Sequence, residues 1–184
     1  MARTPTNQIP LGFKAIEFDL PDVITGGKVS LNQVSKKNGL VVIFICNHCP
    51  YVIHVIDQIV KLANDYLDKE IGFVAISSND VVNYPNDDPK KMKLFAKEKD
   101  FPFPYLYDES QDIAKLYDAA CTPDYSVFNS ELNCVYRGQL DDSRPSNNEP
   151  VNGKDLRLVL DYILENKKID FIQKPSIGCN IKWK

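Results

Sequence analysis

The sequence lacks two features that would at once assign it to a large class of proteins: a long apolar run and an excess of positive charge. No apolar run approaches the ~20 residues that a membrane-spanning helix needs. The 184 residues carry a formal net charge of −3 and have a pI near 5.4, whereas nucleic-acid-binding domains are usually basic. We therefore expect neither a membrane nor a nucleic acid as a partner.

The sequence also lacks the marks of a secreted chain and of a repetitive one. The first ten residues contain no apolar core of the kind found in secretory signals, so we expect a cytosolic (cytoplasmic) protein. No internal repeat or low-complexity segment occurs, and the length fits one domain. We predict a mobile N-terminal arm at residues 1–11, a domain at 12–167 and an irregular tail at 168–184 that packs on the domain.

Cysteine occurs five times, an odd number that does not suggest the disulfide framework of a small secreted protein. Only Cys46 and Cys49 are close in sequence. Cys121, Cys134 and Cys179 stand alone, and isolated cysteines are most often small buried hydrophobes. The close pair is therefore the feature that needs an explanation.

Cys46 and Cys49 lie where a buried strand passes into an amphipathic helix. Residues 40–45 form an unbroken apolar run rich in β-branched residues, which predicts a strand buried on both faces. From Val52 onward, apolar residues recur at helical spacing. Sulfurs at positions i and i+3 of a first helical turn can close a disulfide, and the partial positive charge of a helix N-terminus favours a thiolate. This order of elements is typical of a thiol–disulfide redox site.

The rest of the chain predicts alternating strands and helices. The further predicted strands lie at residues 16–20, 29–31, 71–76, 105–107, 125–128 and 134–140. The predicted helix starts are Asp88, Asp108 and Asn152. A parallel β-α-β half followed by a β-β-α half gives one mixed sheet with helices on both faces, because right-handed crossovers leave few other arrangements.

Five sequence blocks resemble one known family. They are residues 47–52 (NHCPYV), 77–80 (SSND), 103–108 (FPYLYD), 121–124 (CTPD) and 174–183 (KPSIGCNIKW). Together with the strand, C-x-x-C and helix, they resemble the redoxins of the alkyl hydroperoxide reductase/thiol-specific antioxidant (AhpC/TSA) family, within the thioredoxin superfamily. The resemblance spans nearly the whole chain after residue 11. It implies an α/β thioredoxin fold, with a central mixed sheet flanked by helices and an N-terminal β-hairpin extension.

The sequence departs from two branches of that superfamily. Thioredoxins have Trp before the first cysteine, Gly-Pro between the two, and a buried Asp six residues upstream. These places hold Ile45, Asn47-His48 and Leu40, so the usual proton acceptor for the second thiol is missing or lies elsewhere. Peroxiredoxins carry Pro-x-x-x-Thr/Ser-x-x-Cys, which neither Cys46 nor Cys49 fits. We therefore expect the peroxidase site to be absent.

Cys46 and Cys49 are the expected catalytic residues. Cys46, taken to be closer to solvent, is expected to attack a substrate disulfide, with a pKa lowered below the ~8.5 of a free thiol by the helix N-terminus. Cys49 is expected to resolve the mixed disulfide. The alternative is a structural zinc pair; zinc normally takes four ligands, although a set of Cys46, Cys49 and Cys121 is conceivable. We expect no metal.

Two segments are expected to shape the site. An imidazolium at His48, which lies with Asn47 between the thiols, would stabilise a thiolate and make the disulfide more oxidising. The alternative is a solvated loop residue of modest effect. The resemblance implies that Thr122-Pro123 is a cis-proline loop facing the pair, where an extended substrate pairs with the backbone of Thr122. The alternative there is an ordinary trans turn.

Cys121 and Cys179 are candidate accessory thiols. Cys121 lies two residues before the proline, and we expect it to pack rather than react. Cys179 has two open roles: its thiol could exchange with the active-site pair, or its side chain could only help to pack the tail against the domain. We expect packing.

These features predict a thiol–disulfide oxidoreductase that acts on protein or small disulfide substrates. An upstream dithiol reductant would recycle it, and no organic cofactor is needed. Two alternatives stay open: a thiol peroxidase of the same broad family, and a non-enzymatic redox sensor or metal-binding module. Repeated turnover distinguishes an enzyme from a sensor, which changes state once.

Overall fold

The computed structural model describes residues 3–184, so the first two residues of the predicted arm lie outside the described part. The strands are β1 Arg3–Pro5, β2 Asp19–Pro21, β3 Lys28–Ser30, β4 Gly39–Phe44, β5 Ile71–Ser77, β6 Tyr105–Tyr107, β7 Cys121–Thr122, β8 Asp124–Asn129, β9 Cys134–Gly138 and β10 Ile177–Asn180. The helices are α1 Leu31–Val34, α2 Pro50–Leu67, α3 Pro89–Glu98, α4 Asp112–Leu116 and α5 Lys154–Leu164. Within residues 3–184, none of these helices combines the length and the apolar character that crossing a membrane requires.

Five strands form a central mixed sheet in the order β9-β8-β4-β5-β6. β4 pairs antiparallel with β8, and β8 pairs antiparallel with β9. On the other side of β4, the backbone N–H groups of Asn38 and Ile45 donate to the carbonyls of Glu70 and Ile76, so β5 runs parallel to β4. β6 is parallel to β5. The mixed α/β sheet expected from the sequence is thereby confirmed.

Strand β4 lies at the centre of this sheet, and all six of its residues are buried. Val41 and Ile43 pack into the apolar core on one face. Leu40, Val42 and Phe44 pack into the core on the other face. Burial on both faces explains why this strand is continuously apolar rather than alternating. It also fixes the carboxyl end of β4, from which the next residues continue into the site.

Helix α2 begins two residues before its apolar pattern does. Pro50 takes the first helical position, where its missing N–H removes no intrahelical hydrogen bond. Cys49 is consequently the N-cap residue. The buried residues of the helix form one stripe: Val52, Val55, Ile56, Ile59, Leu62, Ala63 and Tyr66. This stripe packs into the same apolar core as Val41 and Ile43.

Part of each terminal segment forms a strand. The sequence predicts a mobile arm at residues 1–11 and an irregular tail at 168–184 that packs on the domain, whereas Arg3–Pro5 and Ile177–Asn180 are paired strands. β1 pairs with β10, and β10 pairs on its other side with β7, which gives a small three-stranded sheet. Pro5 is compatible with this pairing because β1 is an edge strand.

The three predicted helix starts have different outcomes. Asp88 is the N-cap of α3, and its carboxylate accepts two backbone N–H groups of the first turn, as predicted. Asp108 and Asn152 are not N-caps. Gln111 and Gly153 hold those positions, each in a left-handed conformation with φ of 66°. The predicted helices themselves are present, with their starts displaced toward the C-terminus.

Candidate active site

Cys46 and Cys49 lie together at the carboxyl end of β4. Cys46 follows β4 by two residues, and Cys49 caps α2. The two side chains are reduced and hydrogen-bonded to each other, with no disulfide between them. Cys46 is 1% exposed and Cys49 is 0% exposed. The expected difference in exposure between the two cysteines is therefore absent.

The loop Thr122-Pro123 faces both thiols, and its peptide bond is cis, as the resemblance implies. The Oγ1 of Thr122 lies 3.4 Å from Cys46 Sγ. The carbonyl oxygen of Thr122 lies 3.1 Å from Cys49 Sγ. One residue thus contacts the two sulfurs with two different polar groups.

The pKa of Cys49 is lowered and that of Cys46 is raised, whereas the sequence predicts the lowering at Cys46. The hydrogen bond with Cys49, burial and the nearby carboxylate of Asp87 raise the pKa of Cys46 well above its usual value. The hydrogen bonds that Cys49 Sγ receives from the Cys46 thiol, from the Cys179 thiol and from the backbone N–H of Val52 lower its pKa to about 5. The reason is local: the helix begins after Cys49, so its N-terminal field acts on this sulfur.

Asp87 is the buried carboxylate of the site. It ends a 3₁₀ turn, Pro85–Asp87, and is 0% exposed. Its Oδ2 lies 2.7 Å from His48 Nδ1 and accepts a hydrogen bond from Asn79 Nδ2 at 2.8 Å. Its Oδ1 accepts the backbone N–H of Asn47 at 2.9 Å. Contact with this carboxylate raises the pKa of His48, which favours the imidazolium expected from the sequence.

Sequence reasoning missed Asp87. The adjacent Asp88 carried the stronger local signal, since it precedes Pro89 at the start of a helix. One sequence signal was relevant: Leu40 stands where thioredoxins have a buried Asp, which indicated that a proton acceptor had to lie elsewhere. Asp87 supplies a buried carboxylate near the pair from a different element of the fold.

Asn47 is held from two sides. Its side-chain Nδ2 donates to the carbonyl of Asn86 at 3.0 Å, and its Oδ1 accepts the hydroxyl of Tyr105 at 3.0 Å. With the bond from its backbone N–H to Asp87, these contacts fix the turn between the two cysteines.

Cys179 lies at the site, whereas the other two isolated cysteines do not join it. Its Sγ is 2.9 Å from that of Cys49. Cys121 instead contacts the Oγ1 of Thr6 at 3.8 Å, and burial raises the pKa of its thiol. Cys134 donates to the carbonyl of Tyr136 at 3.4 Å.

The tail strand occupies the edge at which a substrate strand was expected to pair. In the register of β10 on β7, Cys179 stands opposite Thr122 and Asn180 stands opposite Cys121. The backbone of Thr122 therefore already has a strand partner. Strand addition by a substrate at this edge, as the sequence suggested, is not available in this arrangement.

Two side chains, Tyr84 and Lys182, lie beside the turn between the thiols. The ring of Tyr84 stacks on that of His48, with centroids 6.2 Å apart and planes 4° from parallel. The ammonium of Lys182 lies 5.6 Å from the centroid of Tyr84. Tyr84 is 40% exposed, so this stack lies at the protein surface.

One group of metal-ligand types occurs among residues 3–184. The side chains of Cys46, His48 and Asp87 each offer one ligand atom, and these atoms lie within 4.8 Å of one another. Cys121 is not part of the group, so the conceivable zinc set of Cys46, Cys49 and Cys121 is not formed in the described structure.

Comparisons with known proteins agree on the family and on the fold. The Redoxin family model matches residues 10–154. A solved structure of an uncharacterized conserved protein from Geobacillus kaustophilus is 54% identical, with a TM-score of 0.98 over 100% of this chain and 97% of that one. A hypothetical protein from Sinorhizobium meliloti 1021 is 42% identical, with a TM-score of 0.96 over 98% of each chain.

A more distant structure confirms the predicted thioredoxin-like fold. The thioredoxin domain of a thiol-disulfide oxidoreductase from Bacteroides vulgatus is 17% identical, with a TM-score of 0.62 over 83% of this chain and 99% of that one. Among curated proteins, no relative matches. The family match is to redoxins in general and does not single out the alkyl hydroperoxide reductase branch.

Proposed function

The chain belongs to the redoxin family, and we propose that it is a thiol–disulfide oxidoreductase that works through Cys46 and Cys49. The observation that carries the proposal is the hydrogen-bonded pair of buried thiols at the N-terminus of α2, one of them with a pKa near 5. A thiolate at neutral pH is the reactive form of cysteine in disulfide exchange. A second thiol within bonding reach lets the enzyme complete the reaction internally.

In the first step, Cys46 attacks a substrate disulfide. In the reduced pair Cys49 is the thiolate and Cys46 carries the proton; the Cys49 thiolate accepts this proton, and Cys46 Sγ, now a thiolate, bonds to a substrate sulfur. The substrate S–S bond breaks, and the other substrate sulfur leaves as a thiolate. We assign the attack to Cys46 because Cys49 Sγ is enclosed by Cys46, by Cys179 and by the carbonyl of Thr122.

In the second step, Cys49 resolves the mixed disulfide. Its Sγ, having passed the proton to the first substrate sulfur, attacks Cys46 Sγ, so that the Cys46–Cys49 bond forms and the second substrate sulfur leaves as a thiolate. Two electrons pass to the substrate, with one proton from the pair and one from solvent. An external dithiol reductant then returns the protein to its starting state.

Turnover assays test this function. We expect the wild-type protein, supplied with dithiothreitol, to reduce insulin disulfides repeatedly, and the Cys46→Ser and Cys49→Ser variants to lose this turnover. Cys134→Ser is the matched control, because Cys134 is buried in β9 outside the site. Hydrogen peroxide should be a much poorer substrate. Rapid peroxide turnover that disappears in Cys46→Ser would instead support the thiol peroxidase alternative.

Trapping tests the order of attack. The Cys49→Ser variant keeps the attacking sulfur and lacks the resolving one, so it should accumulate a mixed disulfide at Cys46. Accumulation in Cys46→Ser, with the substrate attached to Cys49, would show that Cys49 attacks first.

A second candidate function is metal binding, which the cluster of Cys46, His48 and Asp87 favours. Thiolate, imidazole and carboxylate are all zinc ligands, and three protein ligands leave one position open. Equilibrium dialysis of the reduced protein against Zn²⁺ tests this candidate. One bound ion per chain that is lost in Asp87→Asn would support it, and no retained ion would contradict it.

A further inference from the structure

Cys179 makes a direct sulfur–sulfur contact with the redox pair. Although 130 residues separate them in sequence, the Sγ atoms of Cys49 and Cys179 lie 2.9 Å apart. A disulfide bond of about 2.05 Å therefore needs the two atoms to approach by less than about 1 Å. Because Cys49 Sγ is also hydrogen-bonded to Cys46, it lies between two thiols.

Several contacts hold Cys179 in this position. In β10, Cys179 stands opposite Thr122 on one side and opposite Arg3 on the other. Just before it, Gly178 packs so closely on Thr122 that a Cβ would lie 1.9 Å from the carbonyl oxygen. Ser176 Oγ donates to the carbonyl of Pro123 at 2.6 Å. Strand β10 is thus paired on both of its edges, and the residues just before Cys179 are held against Thr122 and Pro123.

We propose that Cys179 is a third redox thiol, which moves the disulfide of the oxidised protein from Cys46–Cys49 to Cys49–Cys179. The proposal rests on the proposed function, since that reaction produces the Cys46–Cys49 bond. Cys179 Sγ attacks Cys49 Sγ, the Cys49–Cys179 bond forms and the Cys46–Cys49 bond breaks. Cys46 leaves as a thiolate and takes up the proton that Cys179 gives up. The step is an internal exchange, so it needs no oxidant or reductant.

The oxidation state of the pair sets when Cys179 can react. In the reduced protein, burial and the hydrogen bond to Cys49 raise the pKa of Cys179 to about 12, so it remains a thiol. Once Cys49 is in a disulfide it carries no charge and accepts no such bond. Two of the causes that keep Cys179 protonated are then removed, and its target sulfur is already in contact.

The exchange has two consequences for the molecule. It covalently ties β10 to the start of α2, and it releases Cys46 as a thiol in a chain that is still oxidised. Cys46 can then attack a second disulfide, whereas a chain without Cys179 has both active-site sulfurs occupied.

Peptide mapping tests the exchange. Trypsin places Cys46 and Cys49 on residues 38–61, Cys179 on 169–182, and Cys121 with Cys134 on 116–137. After equilibration with oxidised glutathione, we expect the cross-linked pair 38–61/169–182 in the wild type and in Cys46→Ser, and its loss in Cys49→Ser. A wild type that contains only the internal loop of 38–61, with a Cys46→Ser variant that forms no cross-link, would overturn the proposal.

Alkylation of Cys46 distinguishes the exchange from a purely structural role of Cys179, which would leave the labelling unchanged. In the oxidised wild type, N-ethylmaleimide should label Cys46, whereas the oxidised Cys179→Ser and Cys179→Ala variants should carry no label there. Equal labelling of Cys46 in all three proteins would contradict the exchange. Thermal unfolding of the reduced variants, with Cys134→Ser as the matched control, verifies that they are folded.

Insulin turnover of the same preparations separates this proposal from the proposed function. A wild type that reduces insulin without forming the cross-link overturns the exchange and leaves the oxidoreductase function standing. A cross-link in a protein without insulin turnover supports the exchange and contradicts the oxidoreductase function.

Discussion

The carboxylate of Asp87 and the imidazole of His48 form a buried contact beside the redox pair, with Oδ2 and Nδ1 2.7 Å apart. The side chain of Asp87 is fully buried, and that of His48 is 20% exposed. Asp87 also receives the backbone N–H of Asn47, so one carboxylate orients the whole turn between the cysteines. The turn therefore has a fixed charge pair rather than a solvated histidine.

Replacing Asp87 with Asn should lower the pKa of His48, because the carboxylate that stabilises the imidazolium is removed. The folded-state pKa of His48 is raised, so the contact stabilises the fold below the unfolded value of about 6.5 and loses this effect as pH rises through the folded pKa. NMR titration of the histidine ring protons measures the shift. An unchanged His48 titration in Asp87→Asn would contradict the role assigned to the carboxylate.

The parts of this site that sequence predicted are those that local pattern encodes. The continuous apolar run gave β4, the helical spacing gave α2, and the block CTPD placed Thr122-Pro123 against the thiols. Each of these signals comes from a few consecutive residues, whose burial or backbone geometry follows from their chemistry.

The parts that sequence did not predict depend on contacts between distant segments. Asp87 reaches Asn47 across 40 residues, and Cys179 reaches Cys49 across 130. Neither Asp87 nor Cys179 belongs to a periodic sequence pattern, and Cys179 was expected only to help pack the tail. The pKa lowering was expected at Cys46 and falls on Cys49, because hydrogen bonds from Cys46 and from the distant Cys179 act on Cys49 Sγ.

The reduced protein should contain one thiolate at neutral pH, and Cys49 should carry it. Its pKa of about 5 lies below that of an unfolded thiol, about 8.5. Ionisation of Cys49 therefore stabilises the reduced fold fully above about pH 8.5, and this contribution is lost as pH falls through about 5. Ultraviolet thiolate absorbance against pH measures the ionisation. A wild-type transition near pH 8.5, or one that is unchanged in Cys49→Ser, would contradict the assignment.

Gly178→Ala should displace the tail strand from Thr122. The added Cβ would lie 1.9 Å from a backbone oxygen, which cannot rotate away as a side chain can. Overpacking of this kind costs about 1–3 kcal/mol of unfolding free energy, and the Cys49–Cys179 cross-link should decrease with it. Gly27→Ala is the matched control, because its Cβ would meet only Thr25 Oγ1 at 3.8 Å. Equal unfolding midpoints in urea for the two variants would count against the close packing of β10.

Arg137→Met should be strongly destabilising. The guanidinium of Arg137 lies 3.6 Å from the carboxylate of Asp124, and both side chains are at most 2% exposed. Removing one partner of a buried ion pair costs about 3–5 kcal/mol, since the other charge stays buried. Lys28→Met is the control, because its pair with Asp19 is exposed and contributes about 0–1 kcal/mol. Urea unfolding of both variants measures the unfolding free energy that each one loses. Similar losses would contradict the distinction between the buried and the exposed ion pair.

A single-turnover experiment tests the central claim that Cys46 and Cys49 form a dithiol–disulfide couple. Reduced protein is mixed with a limiting amount of disulfide substrate, quenched by alkylation and mapped by mass spectrometry. We predict one oxidised chain for each substrate disulfide that is reduced, with the new bond at Cys46–Cys49 or, after exchange, at Cys49–Cys179. Substrate that stays oxidised, or reduced substrate without a new bond at Cys49, would contradict the account.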